Sequence, residues 1–266
     1  MQQVTTLPHW NDRWALFLDV DGTLLEFADR PDAVRSTPRL KILLQKAQLD
    51  LGGAVALVSG RAIAGLDCLF APLRLPAAGL HGAERRSADG AFDYLAGLDG
   101  RLGPVKRSLS QFVERHAGLL LEDKGTALAL HYRRAPALGE DCGRAIALAA
   151  QAAGKGFHVQ SGKMVFELKP HGQDKGTALV AFMDEHPFAG RIPVFIGDDV
   201  TDEDGFLAAN RLGGISIRVG GGGETAARYR IDTIEQLLRW LEANLLDAEQ
   251  DEARGAPPAM PQRSAV

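Results

Sequence analysis

Apolar residues fall in short unbroken runs near the two ends of this chain and alternate with polar ones through its middle. Trp14-Ala-Leu-Phe-Leu-Asp-Val20, Ala54-Val-Ala-Leu-Val58, Ile192-Pro-Val-Phe-Ile196 and Gly214-Ile-Ser-Ile-Arg-Val219 are such runs, and the first three lead into polar turn residues. Strands buried on both faces have this pattern. Leu40 to Leu51 shows helical spacing and stops at Gly52-Gly53. A strand, a helix and a second strand make a βαβ unit, and so a parallel sheet. The middle predicts an amphipathic helix over 103–116, an alternating half-exposed strand over 126–132 and an alanine-rich helix over 138–153. Two strand pieces, 159–160 and 164–168, flank a turn expected at Ser161-Gly162. Strands with one wet face and helices between them indicate an α+β module inserted into the parallel core. The expected bounds are a discontinuous core of 1–100 and 171–246, an inserted domain of 101–170 and a polar, proline-containing disordered tail of 247–266.

The chain has 266 residues, 45% of them hydrophobic and 24% charged, with a formal net charge of −4. This mild acidity leaves no electrostatic footprint for nucleic acid. No apolar run approaches the roughly 18 residues a membrane helix needs. Met1 to Trp10 lacks the basic-then-apolar pattern of a secretory leader. Cys68 and Cys142 are far apart, in no metal-ligand spacing, and read as buried small hydrophobes. A cytoplasmic monomer is expected, with no nucleic-acid or membrane partner.

The candidate chemistry lies where the apolar runs end. Asp19-Val20-Asp21-Gly22-Thr23 follows the first run, and open parallel sheets bind ligands at the carboxyl ends of their strands. One carboxylate there can attack phosphorus while its neighbour protonates the leaving oxygen. Taken alone, the pair equally fits a turn or a helix cap. A second acidic group, Gly197-Asp198-Asp199-Val200-Thr201-Asp202, follows the run ending at Ile196. Acids crowded together repel unless a cation neutralises them, and all-oxygen ligands favour a hard ion, Mg²⁺ above all where phosphate completes the shell. Asp202 to Asp204 also fit the first turn of a helix. Ser59-Gly60-Arg61 ends the second run and offers a hydroxyl and loop amides to phosphoryl oxygens. Lys175 opens a helix, where a cation is electrostatically misplaced. A nucleophile, an acid, an ion site and two phosphate clamps make the set that phosphoryl transfer needs.

In order and spacing these motifs resemble the haloacid dehalogenase (HAD) superfamily of aspartate-nucleophile phosphatases. The resemblance implies a Rossmann-like parallel-sheet core with an inserted α+β cap of the C2B type. It makes Asp19 the nucleophile and a Mg²⁺ ligand. Asp21 becomes the general acid/base, lending its main-chain carbonyl to the metal, and Asp198 a further ligand. Ser59, Gly60 and Lys175 become phosphate-binding, and Asp199 and Asp202 stand behind the ligands. Within the insertion, Glu167 and Lys169 alternate onto one strand face, which chemistry alone reads as a solvated, salt-bridged surface. Gly79-Leu-His81-Gly82-Ala-Glu84, Glu122-x-Lys124, Glu167-x-Lys169-Pro170 and Gly197-Asp-Asp-x-Thr201-Asp202-Glu203 resemble the trehalose-6-phosphate phosphatase family over about Leu16 to Leu241. That implies hydrolysis of trehalose 6-phosphate, the final step of trehalose biosynthesis, with Glu122, Lys124 and Glu167 on the sugar remote from the phosphate. Arg61 and His81 are further candidates for substrate contact. The alternatives are a phosphatase for another sugar phosphate, of the sucrose-phosphate or mannosylglycerate-phosphate type, and a non-catalytic sugar-phosphate sensor. The sensor would not need Asp19, Asp21 and Asp198.

Overall fold

The computed structural model describes residues 6–26, 34–94, 102–125, 127–170, 172 and 174–246. The expected tail, 247–266, and Thr126 of the alternating segment lie outside them. In chain order the elements begin β1 (Trp14–Leu18), α1 (Pro38–Asp50), β2 (Val55–Val58), α2 (Ile63–Phe70), β3 (Ala77–Gly79), β4 (Glu84–Arg86) and β5 (Phe92–Tyr94). There follow α3 (Leu102–Glu114), β6 (Leu120–Asp123), β7 (Leu128–His131), α4 (Gly139–Ala153), β8 (Phe157–Gly162) and β9 (Val165–Pro170). The last part holds α5 (Lys175–Met183), β10 (Ile192–Gly197), α6 (Glu203–Arg211), β11 (Ile215–Val219), β12 (Tyr229–Ile231) and α7 (Ile234–Leu245). Among these no helix is long and apolar enough to cross a membrane.

One sheet has the order β12-β11-β10-β1-β2-β3-β4-β5, parallel as far as β3 and antiparallel in its last two pairings. Every residue of β1 and β2 is buried, as continuous apolar runs require. Helix α1 starts where Thr37 accepts the Leu40 N–H and Pro38 supplies a preset φ. It buries Leu40, Leu43, Leu44 and Ala47, one stripe at 3.6-residue spacing, and packs beside α7. Burial of Phe17, Phe182, Phe188 and Phe195 joins β1, α5 and β10 into the same core.

The second sheet, β6-β7-β9-β8, is antiparallel. One face carries Leu128, Leu130, Leu168 and Phe157 onto Val105 and Leu109 of α3 and Cys142 and Ile146 of α4, forming a separate apolar cluster. On the other face the register sets Glu122, Ala129, Glu167 and Gln160 in one row across all four strands. Ala129 leaves room between the two acids.

Several expectations change. The turn between β8 and β9 falls at Lys163-Met164, because both strands extend until Gly162 pairs with Val165. Met164 takes the turn's left-handed conformation, at φ 63°. Cys142 is buried but Cys68 is exposed, and both are free thiols. Glu167 and Lys169 are buried, not solvated, while Glu122 and His131 on the same face stay partly exposed. The β4–β5 hairpin and β6 carry too much charge, in too few residues, to show a strand period.

Candidate active site

β1 and β10 lie side by side and end together, so the two acidic loops that follow them meet. The Asp19 N–H donates to Ile196 O at 2.9 Å, which pins the start of the first loop to β10. Gly22 has φ 92°, and a Cβ there would lie 2.2 Å from Asp198 Oδ2. Only glycine lets the first loop turn this tightly against the second. Thr23 Oγ1 then donates to Asp198 Oδ1 at 3.1 Å.

Lys175 is the first residue of α5. Asp174 caps that helix by accepting the Thr177 N–H, and the Thr177 hydroxyl bonds back to Asp174. The lysine reaches away from the positive end of the helix dipole into two carboxylates, Asp19 Oδ1 at 2.7 Å and Asp202 Oδ1 at 2.6 Å. Asp202 is completely buried, and its other oxygen accepts the N–H groups of Asp198 (3.0 Å) and Asp199 (2.9 Å). Asp202 therefore does more than open a helix: it shapes the Asp198 loop and holds Lys175. Asp199 caps the single 3₁₀ turn of Val200–Asp202 that precedes α6.

Burial is the main cause that raises the Asp19 pKa well above the ordinary carboxylate value. Lys175 opposes the rise, and Asp202 and Asp198 add to it. Asp198 is pushed up to about 6, by burial first and then by Asp202. Oxygens of Asp19, Asp198 and Asp202 all lie within 4.8 Å of one another. A bound cation would relieve this crowding, and an all-carboxylate set suits a hard divalent one. Asp202 has both oxygens engaged, which leaves Asp19 and Asp198 as the side chains free to ligate it. Lys175→Met should lower the unfolding free energy of the metal-free protein by about 3–5 kcal/mol, because Asp19 and Asp202 would stay buried without their cation. Urea unfolding at pH 7 checks this, and a change below about 1 kcal/mol would contradict it.

Asp21 faces the loop after β2. Arg61 clasps it with both arms, Nε to Oδ2 at 2.6 Å and Nη2 to Oδ1 at 2.7 Å. The structure thus places Arg61, expected on the substrate, against the expected general acid. Ser59 is buried and accepts the Arg61 N–H at 3.1 Å.

Two acids of the cap sheet, Glu167 and Glu122, are each paired. Glu167 is held by Lys124 Nζ at 2.9 Å on one oxygen and by His81 Nε2 at 3.1 Å on the other. Burial alone would raise the Glu167 pKa, yet the contacts from His81 and Lys124 hold it far below the usual carboxylate range. Burial is the first cause that lowers the His81 pKa, and the contact with Glu167 opposes it. Glu122 Oε2 pairs with His131 Nε2 at 2.9 Å, and that bond is the chief cause of its lowered pKa. The guanidinium of Arg61 feels Asp21 first, then both Glu122 and Asp19, which brings the cap and core sets within electrostatic reach of each other. His131 and Thr23 are not site candidates from the sequence, where one lies in the alternating strand and the other in the first acidic run; the β6–β7 register and the contact between the acidic loops bring them in.

The core sheet with its insertion and its paired aspartate loops is the fold of HAD phosphatases, shared with a solved enzyme of that superfamily from Bacteroides thetaiotaomicron at TM-score 0.58 and 17% identity. The model of the trehalose-phosphatase family matches residues 17–234, and the chain belongs to that family. It is 48% identical over 209 residues to the "Probable trehalose-phosphate phosphatase" of Sinorhizobium fredii, covering 79% of this chain and 78% of the relative. To the trehalose-6-phosphate phosphatase of Escherichia coli it is 41% identical over 241 residues, 91% of this chain and 90% of the other. A solved trehalose-6-phosphate phosphatase related protein superposes with TM-score 0.75 at 26% identity, covering 89% of this chain and 99% of that one.

Proposed function

We infer that this chain hydrolyses trehalose 6-phosphate to trehalose and inorganic phosphate through a phosphorylated Asp19. One observation carries the reading: the buried cap carboxylate Glu167 contacts His81, whose backbone bonds the Ser59 loop at the end of β2, the strand beside β1. Family membership and the names of the relatives support the same substrate. In this reading Asp19 attacks phosphorus, with Lys175 holding its carboxylate in place at 2.7 Å. Asp21 gives a proton to the departing sugar oxygen and then takes one from the water that cleaves the acyl phosphate. Ser59, the Gly60 amide and Lys175 bind phosphoryl oxygens. Asp19, Asp198 and the Asp21 carbonyl would hold Mg²⁺, which when bound neutralises charge on the transferring group.

Glu122, Lys124 and Glu167 are assigned to the distal glucose, as charged groups that grip hydroxyls. Energy gained there serves to close the cap and align the reacting atoms, so its loss reduces kcat as well as raising KM. Each alanine variant should lose about 1.5–3 kcal/mol of transition-state stabilisation, roughly 10- to 150-fold in kcat/KM for trehalose 6-phosphate. The loss on p-nitrophenyl phosphate, which has no second sugar, should be far smaller. Equal losses on both esters in all three variants would remove the support for trehalose and leave a phosphatase of unassigned sugar. Sucrose 6-phosphate and mannosylglycerate phosphate in the same panel separate the alternatives.

A further inference from the structure

We propose that His81 is a positioning residue that ties the phosphate-side loop of the core to the sugar-side carboxylate of the cap, so that engagement of the sugar sets the loop for catalysis. The proposal rests on the reading of Glu167 as a sugar contact. Leu80 and His81 have φ of 51° and 56°. Side chains rarely adopt this left-handed region, and two successive non-glycine residues in it need strong support. The support comes from the Ser59–Arg61 loop. The His81 N–H donates to Ser59 O, and the Leu80 N–H to Arg61 O, both at 3.0 Å. The imidazole packs on Gly60, where a Cβ would lie 2.8 Å from Nε2. Glu84 completes the brace by accepting the Ile63 N–H at 2.8 Å, at the start of α2, whose own cap residue makes no side-chain bond.

This strained backbone sends the ring across to the cap. Nε2 reaches Glu167 Oε2 at 3.1 Å, while Nδ1 is buried without a hydrogen-bond partner among the described residues. Among the described residues Glu167 is thus the hydrogen-bond partner that orients the ring, with Gly60 packed against it. Glu167 in turn takes Lys124 on its other oxygen. A hydroxyl that bonds Glu167 shares it with His81 and Lys124, and the backbone that carries His81 is hydrogen-bonded to that of Ser59 and Arg61. One residue therefore links the loop assigned to the phosphate with the carboxylate assigned to the distal sugar.

A double-mutant cycle tests this. His81→Asn tolerates the left-handed backbone but is too short to reach Glu167, His81→Gln restores an N–H near the Nε2 position, and Glu167→Gln weakens the acceptor. With trehalose 6-phosphate, His81→Asn should lower kcat about 10- to 30-fold with KM changed less than about threefold, His81→Gln should recover most of the loss, and the double variant should be no worse than the worse single one. Multiplying losses in the double variant, no recovery in His81→Gln, or an equal loss on p-nitrophenyl phosphate would overturn the proposal while leaving Glu167 at the sugar. Glu167→Gln losing equally on both esters would instead remove the underlying reading, and the proposal with it.

Discussion

Asp19→Asn is expected to abolish turnover and, in the metal-free protein, to raise the melting temperature. The two effects share a cause. Asp19 is buried among Asp198 and Asp202, and its raised pKa means that the fold holds its charged form unfavourably. An amide removes that charge, keeps an oxygen for Lys175 to donate to, and leaves Lys175 paired with Asp202. Each kcal/mol of strain relieved should appear as about 2–4 °C for a chain of this length. An amide cannot form the acyl phosphate, so kcat for trehalose 6-phosphate should fall by roughly 10³-fold or more, above 4 kcal/mol in the barrier. Higher stability with lost activity is what a strained nucleophile site predicts. Turnover within about tenfold of the parent would sink the covalent route, whereas lost activity with a lowered melting temperature would make Asp19 structural.

The chemistry was more legible than the architecture around it. β1, β2, β10 and β11 showed in the sequence because strands buried on both faces read as unbroken apolar runs, and the acids that follow β1 and β10 stand out against them. Asp202 was harder to read. Beside Glu203 and Asp204 it looks like any acid in a first helical turn, and its burial depends on Lys175, which lies 27 residues away in the chain. Glu167 and Lys169 could be assigned to one face by alternation. Whether water or protein covers Glu167 is a long-range fact, and here His81 comes against it. The hairpin of β8 and β9 was misplaced because Ser161-Gly162 has turn composition and Lys163-Met164 does not, yet pairing energy along the strands carries the turn two residues on. Arg61 was read as a substrate contact from the loop it ends. Its bidentate hold on Asp21 spans 40 residues, and no local pattern records it.

Mg²⁺ should restore the activity that chelation removes, and its stabilising effect should fade as the pH falls below about 6. The sign follows from Asp198. Its folded pKa, about 6, lies above the ordinary value of 3.8, with burial the first cause and Asp202 the second. In the metal-free protein this group therefore contributes stability below about pH 4, and that contribution is lost as the pH rises through about 6. A divalent cation reverses the balance, since it binds the ionised form that burial disfavours and must compete with protons at lower pH. At pH 7.5, with free Mg²⁺ at 100 times its Kd, the gain is about 2.7 kcal/mol, or roughly 5–10 °C in Tm for a protein of this size. At pH 5 the same Mg²⁺ should give a clearly smaller shift. Asp198→Asn should remove most of the shift at both pH values, because it deletes one of the two carboxylates left free to ligate. Ca²⁺ should support less turnover, since it prefers more ligands at longer distances than two aspartates and a phosphate oxygen provide. Full activity after exhaustive chelation would exclude a metal from the reaction. A Tm gain equal at pH 5 and 7.5, and unchanged in Asp198→Asn, would place the cation somewhere other than between the two acidic loops.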